Sequence, residues 1–259
     1  MNKLLLSSDT LTWYGLDFVF QTAKDLGFDG IDLAMRKNFD SRNSQYVTKL
    51  QKDHGINIYS IQLSDNCNIK ELNQAVELSI QTWCNVITIN SPKFFNMSSY
   101  RFLDNNLEKF RQSYPDIKFS IINPPKESFF ALPIPKFHFS NIIDIIKNYK
   151  CFLWLDISNM DIDELENSFL KKIKEFCPYI SNIYLSDKNS QWWSHLVLWD
   201  WSMKLPSLFK ELYENWYKWY FSVKIDLQKK DLADTEKMNL LLSKCKRYFD
   251  EYYVSLNHK

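Results

Sequence analysis

Glycine is nearly missing from this chain: Gly15, Gly27, Gly30 and Gly55 are the only four in 259 residues. Loops that cradle a phosphate need glycine where the backbone closes on the ligand. Neither GxGxxG nor GxxxxGK[ST] occurs, so a dinucleotide fingerprint and a P-loop are both excluded. Cysteine is sparse. Cys67, Cys84, Cys151, Cys177 and Cys245 are odd in number and form no CxxC pair. A set of reduced thiols in the cytoplasm is the plain reading.

An excess of either charge is also lacking. Lys+Arg number 32 against 31 Asp+Glu, a formal net charge of +1. Nucleic acids and anionic membranes usually select a basic excess, so neither partner is expected. No apolar run reaches about 18 residues, which excludes a membrane-spanning helix. The opening stretch around Leu4-Leu5-Leu6 is too short to read as a secretory signal. With 45% hydrophobic and 24% charged residues, the chain has the composition of an ordinary folded protein rather than a disordered one.

What is there is aromatic surplus, at 16% of residues, and a regular alternation. Short apolar, often β-branched runs are each followed by a segment of helical period. The pattern predicts strands over 3–8, 30–35, 57–63, 86–90, 118–123, 152–158, 180–187 and 220–227. The matching helices are expected over 16–26, 41–52, 70–83, 99–113, 141–149, 162–176, 206–213 and 235–253. Strand–helix alternation implies a parallel sheet covered by helices. Eight such units in about 250 residues fit a (β/α)8 TIM barrel. A doubly wound open sheet is the alternative, and more often stops at five or six strands. No linker or charge block divides the chain, so one domain spanning 1–259 is expected.

Barrels of this kind place their sites at the C-terminal ends of the strands. Residues at or just past those ends are Ser7, Asp32, Gln62, Asn90, Asn123, Asp156, Tyr184, Asp187 and Asp226. All are polar. Strand ends are also simply where sequences turn polar, but several carboxylates around one mouth are harder to explain that way.

Five segments resemble the xylose isomerase-like barrels, the superfamily of sugar and sugar-phosphate isomerases and epimerases with the endonuclease IV branch. Leu26-Gly27-Phe28-Asp29-Gly30-Ile31-Asp32-Leu33 resembles the LGFDGIEL that leads into their second strand. Leu155-Asp156-Ile157-Ser158-Asn159 is similar to the sixth-strand lDtsH, and Ile183-Tyr184-Leu185-Ser186-Asp187 to the seventh-strand vHlsD. His195-Leu196-Val197-Leu198-Trp199-Asp200-Trp201 and the following Leu205–Leu212 run resemble HlplGeG…wpalfkaL. Val223-Lys224-Ile225-Asp226-Leu227 resembles the eighth-strand vlEl. The motifs keep the family's order and cover nearly the whole chain in spacing.

The resemblance implies one divalent ion held by a strand-five Glu, a strand-six Asp, a strand-seven His and a strand-eight Glu, with the two glutamates moving the proton. A carbanion beside a carbonyl needs a Lewis acid on the oxygens and a carboxylate on each side. This sequence keeps Asp156 and shortens the strand-eight Glu to Asp226. Tyr184 replaces the His, and Asn123 or Ile122 the strand-five Glu. Trp199-Asp200-Trp201 stands where the family has Gly-Glu-Gly. Asp156 and Asp226 are therefore the candidate metal ligands, for Mg²⁺ or Mn²⁺ held loosely, with no cofactor at all as the favoured reading.

Asp156, Asp226 and Lys224 are the candidate catalytic groups. Lys224 lies two residues before Asp226 and so faces the same side of a strand. From there its ammonium would pair with Asp226 or Asp156 in place of a metal. Asp32, Asn90, Asn123, Tyr184, Asp187, His195, Trp199 and Trp201 are the candidate substrate contacts. His195 is the one His at a mouth position, since His54, His138 and His258 fall on a helix end, a Pro-rich loop and the tail. Trp192, Trp193, Trp199 and Trp201 read in order as a plug over the mouth, a stacking platform for sugar, or a partner surface.

Three functions are compared. The favoured one is a sugar or sugar-phosphate isomerase/epimerase-like protein whose metal site is largely lost, weakly active or a non-catalytic binder of a small carbohydrate. The second is an active metal-dependent isomerase or epimerase, which needs Asp156 and Asp226 to converge under a solvent pocket. The third, an endonuclease IV-type enzyme, is disfavoured by the near-zero net charge and the missing imidazoles. The aromatic surplus would also suit a homo-oligomer interface.

Overall fold

The computed structural model describes residues 2–35, 39–64, 67–91, 101–124, 128–129, 132–133, 139–189, 194–198 and 203–258. Eight parallel strands close into a barrel: β1 (Lys3–Ser7), β2 (Gly30–Ala34), β3 (Ile58–Gln62), β4 (Val86–Ile89), β5 (Lys118–Ile122), β6 (Phe152–Asp156), β7 (Ile180–Leu185) and β8 (Tyr220–Val223). Closure is direct, with Lys3 opposite Tyr220 and Leu6 opposite Val223. The chain is thus a (β/α)8 TIM barrel, and the open-sheet alternative is excluded. A hairpin of Ser128–Phe129 with Leu132–Pro133 is an addition the periodicity did not foresee.

The longer helices are α1 (Leu16–Asp25), α2 (Ser44–His54), α3 (Ile69–Thr82), α4 (Glu108–Ser113), α5 (Phe139–Tyr149), α6 (Leu170–Phe176), α7 (Leu205–Glu214) and α8 (Thr235–Tyr252), with a single helical turn over Lys229–Leu232 before the last. Wider π turns, Leu103–Leu107 and Glu164–Phe169, lead into α4 and α6. Local chemistry fixes several starts. Asn43, Asn68 and Asp234 each accept a hydrogen bond from the backbone N–H three residues on, filling donors the first turn leaves open. Gly55 ends α2 at φ 68°, a left-handed conformation that costs glycine little.

The core has two compartments. The larger lies between strands and helices. Its densest part is aromatic: Phe221 of β8 meets Phe249 at 5.0 Å and Tyr253 at 4.7 Å, and Phe209 of α7 meets Phe249 at 5.8 Å. Full burial of rings this size contributes roughly 1.5–3 kcal/mol each, and much of the aromatic surplus is used here. The smaller compartment is inside the ring, where Val86, Ile122, Trp154 and Tyr184 form a separate buried cluster. Alternation along the strands sorts side chains between the two compartments, interrupted where β7 shifts register against β6 at Ser181. The polar members of the inner set pair with one another: Asn182 donates to Ser222 Oγ at 2.7 Å, and the Ser120 and Ser181 hydroxyls lie 2.7 Å apart.

Gly30 has a packing reason. A Cβ there would lie 2.5 Å from Tyr59 Cδ2 and 2.6 Å from the Asn57 carbonyl oxygen. Among the described residues no helix is long and apolar enough to cross a membrane.

Candidate functional site

Side chains of β2, β3 and β7 meet in one hydrogen-bonded group inside the ring, and Asp32 stands at the middle of β2 rather than at its expected C-terminal end. Asp32 ends up fully buried, and its Oδ1 accepts from Ser60 Oγ at 2.8 Å. The Tyr184 hydroxyl reaches Asp32 Oδ2 at 2.9 Å and Gln62 Oε1 at 2.7 Å. Gln62 cannot turn its amide over without loss. Its Nε2 donates to Asn90 Oδ1 at 3.3 Å, and Asn90 in turn donates Nδ2 to the Leu63 carbonyl at 3.0 Å. Burial pushes the Asp32 carboxyl up to about 6, with the Ser60, Ser7 and Tyr184 hydroxyls and the Lys224 charge pulling it partly back. Burial, reinforced by Asp32, holds the Tyr184 phenol well above its usual range.

A second group forms at the end of β6. Asn123 clamps the backbone of Asp156 from both sides: its Oδ1 accepts from Asp156 N at 2.6 Å and its Nδ2 donates to Asp156 O at 2.9 Å. Asp156 is buried, and its Oδ1 accepts from Ser158 N at 3.0 Å and Ser158 Oγ at 2.7 Å. Oδ2 faces His195 Nε2 at 3.7 Å. His195 sits at φ 57°, uncommon for a non-glycine residue. Two ties hold it there. Its carbonyl accepts from Asp226 N at 2.7 Å, and neighbouring Leu196 exchanges backbone bonds of 2.8 and 2.9 Å with Asp187. The Asp187 side chain accepts from Lys188 N and Met203 N, so it anchors the seventh loop.

Strand β8 ends at Val223, four residues short of the expected 220–227. Lys224 N still bonds Leu185 O of β7 at 3.1 Å, but the next backbone donors go to other partners, Ile225 N to Thr10 Oγ1 at 3.1 Å and Asp226 N to His195 O. Strand alternation therefore does not govern Asp226, which is exposed. Lys224 points inward and is buried, with Nζ 4.4 Å above the centre of the Tyr184 ring. Its ion-pair partner is Asp9, at 3.6 Å, not the expected Asp156 or Asp226. Asp9 lies on the short turn Ser8–Leu11 directly after β1. Sequence reading passed over it, although Ser-Ser-Asp at the end of a strand was a visible signal. Trp192, Trp193, Trp199, Trp201 and His138 lie outside the described residues.

The donors present do not fit the divalent ion that the resemblance implies. Both amide atoms of Asn123 are committed to the Asp156 backbone. Tyr184 is a neutral phenol turned toward Asp32 and Gln62, and a neutral phenol is a poor metal ligand. Asp226 is exposed beyond the strand. Among the described residues no three His, Cys, Asp or Glu side chains converge as a metal cage.

No protein-family model matches the chain, and no curated protein matches it. Solved structures do. L-ribulose 3-epimerase superposes with a TM-score of 0.72 at 13% identity, covering 100% of this chain and 96% of that one. D-allulose 3-epimerase from Methylomonas sp., in complex with D-allulose, gives 0.71 at 12% identity over 97% of both chains. A xylose isomerase domain containing protein from Salmonella typhimurium gives 0.68 at 13% identity over the full length of both. The fold is that of the xylose isomerase-like barrels.

Proposed function

We propose that the protein binds a small carbohydrate in the mouth of its barrel without running metal-dependent isomerisation. The observation that carries this reading is Tyr184. It fills the seventh-strand position that the family resemblance assigns to a metal-binding His, and its hydroxyl is turned onto Asp32 and Gln62. Deprotonating a carbon beside a carbonyl requires a Lewis acid and correctly placed bases. Here the retained carboxylate, Asp156, already accepts two hydrogens from Ser158. Likeness in fold to a barrel crystallised with D-allulose supports a sugar as the ligand class.

The test is thermal denaturation with Mn²⁺, Mg²⁺ or neutral sugars, paired with calorimetric metal titration of the wild type and an Asp156→Ala, Asp226→Ala double variant. A ligand that binds only the folded state raises the melting temperature. The expected result is a rise with sugar and none with either ion. Tight ion binding that disappears in the double variant would overturn the proposal and restore the active metal-dependent enzyme.

A further inference from the structure

We infer that Lys224 is the ligand-receiving residue of the mouth, donating from its ammonium to an uncharged carbonyl or hydroxyl oxygen of a neutral sugar rather than to a phosphate ester. This rests on the carbohydrate reading above and adds the group that recognises the sugar and the class of sugar it selects. Lys224 is 8% exposed, yet among the described residues its Nζ makes no hydrogen bond. Its neighbours are the Asp9 carboxylate at 3.6 Å, an ion-pair distance, and the face of Tyr184 at 4.4 Å. An ammonium has three hydrogens to donate. Taken up by no described residue, those hydrogens are available to an arriving acceptor.

The side chain is also held for the purpose. The Tyr184 ring supports it from below, and that ring is fixed by the bonds of its hydroxyl to Asp32 and Gln62. Asp9 holds it from the side, on a turn whose Thr10 accepts the Ile225 N–H just past Lys224. The nearby charge decides the ligand class. Asp9 already balances the ammonium, and Asp9, Asp32 and Asp156 all act on the Tyr184 hydroxyl beneath it. A phosphate dianion at Lys224 would meet these carboxylates, whereas a neutral oxygen would not.

The test is calorimetric titration with D-allulose, D-tagatose and D-xylose and with the 6-phosphates of the two hexoses. It uses the wild type, Lys224→Met, and Lys224→Met with Asp9→Asn, the last removing the Asp9 charge together with the Lys224 charge. Circular dichroism melts check folding. In addition, the ¹⁵N-labelled ammonium of Lys224 in the wild type is followed by NMR during sugar addition, which needs no variant. The expected result is binding of a neutral sugar at least tenfold tighter than its 6-phosphate, a tenfold or greater loss in both variants, and a shift of the Lys224 resonance. Wild-type affinity in a folded variant, an unmoved Lys224 resonance on binding, or preference for the phosphate would overturn the assignment while leaving carbohydrate binding intact. Failure of every sugar to bind the wild type would overturn the carbohydrate reading, and this assignment with it.

Discussion

Tyr184 Oη lies 2.9 Å from Asp32 Oδ2 while also lying 2.7 Å from Gln62 Oε1, so one phenolic hydrogen faces two acceptors. The amide of Gln62 is oriented by the relay through Asn90 to the Leu63 carbonyl and cannot supply the second hydrogen. Below about pH 6 a hydrogen on Asp32 completes the set, with the carboxyl donating to Tyr184 and Tyr184 to Gln62. Burial favours the same neutral carboxyl, raising it from 3.8 to about 6. The folded state therefore holds this proton more tightly than the unfolded chain. Its contribution to stability is complete below pH 3.8 and is lost as pH rises through about 6. The loss amounts to about 3 kcal/mol at most. Urea denaturation across that range should show this slope in the wild type. Asp32→Asn, which stays uncharged and can donate to Tyr184, should flatten it.

Gly30→Ala should destabilise the barrel by about 3 kcal/mol, at the upper end of overpacking effects. The added methyl would meet both the Tyr59 ring and the Asn57 carbonyl. Shortening the ring with Tyr59→Leu should recover only part of the loss, because the backbone contact remains. Denaturant midpoints for the single and double variants measure this directly.

Asn123→Ala should cost about 2–3 kcal/mol, since it strips a buried backbone N–H and a buried carbonyl of their side-chain partner. Asn123→Asp should do at least as much damage. It loses the donor and brings a charge against the Asp156 carbonyl. Chemical denaturation gives the magnitudes, and a change in His195 ring resonances would report that Asp156 had moved.

The cysteines should be inert in the folded protein. Burial pushes the thiols of Cys67, Cys84 and Cys151 up to about 12 and that of Cys177 to about 11. The thiolate is the reactive form. Titration with a disulfide reagent near pH 8 should find almost no fast thiol in native protein and all five after unfolding.

Hydrophobic period alone places the eight barrel strands and their helices within a few residues, because each unit's apolar pattern is local. The Gly in the second-strand motif was visible too, although its reason, the Tyr59 ring, was not. What failed was the end of β8. Alternation carried through 220–227 would aim Asp226 inward, but Thr10 and His195 take the backbone donors there and turn the chain. Those partners come from distant parts of the sequence, Thr10 being 215 positions away from Ile225. The same holds for Lys224 with Asp9 and for Tyr184 with Asp32, which are 152 positions apart. Single-residue chemistry pointed to Lys224, Tyr184 and Asp32 but not to Asp9 or Thr10, and only the closed ring decided which met which.

The inner cluster of Val86, Ile122, Trp154 and Tyr184 has one more effect. Together with the packed side chains around it, this cluster fills the inside of the ring, so the two rims of the molecule do not communicate through the middle. A carbohydrate bound as proposed above would therefore enter from the Lys224 end. The opposite rim, where Lys3 covers the Tyr59 ring, is the place to attach a dye, a tether or a surface without obstructing that doorway.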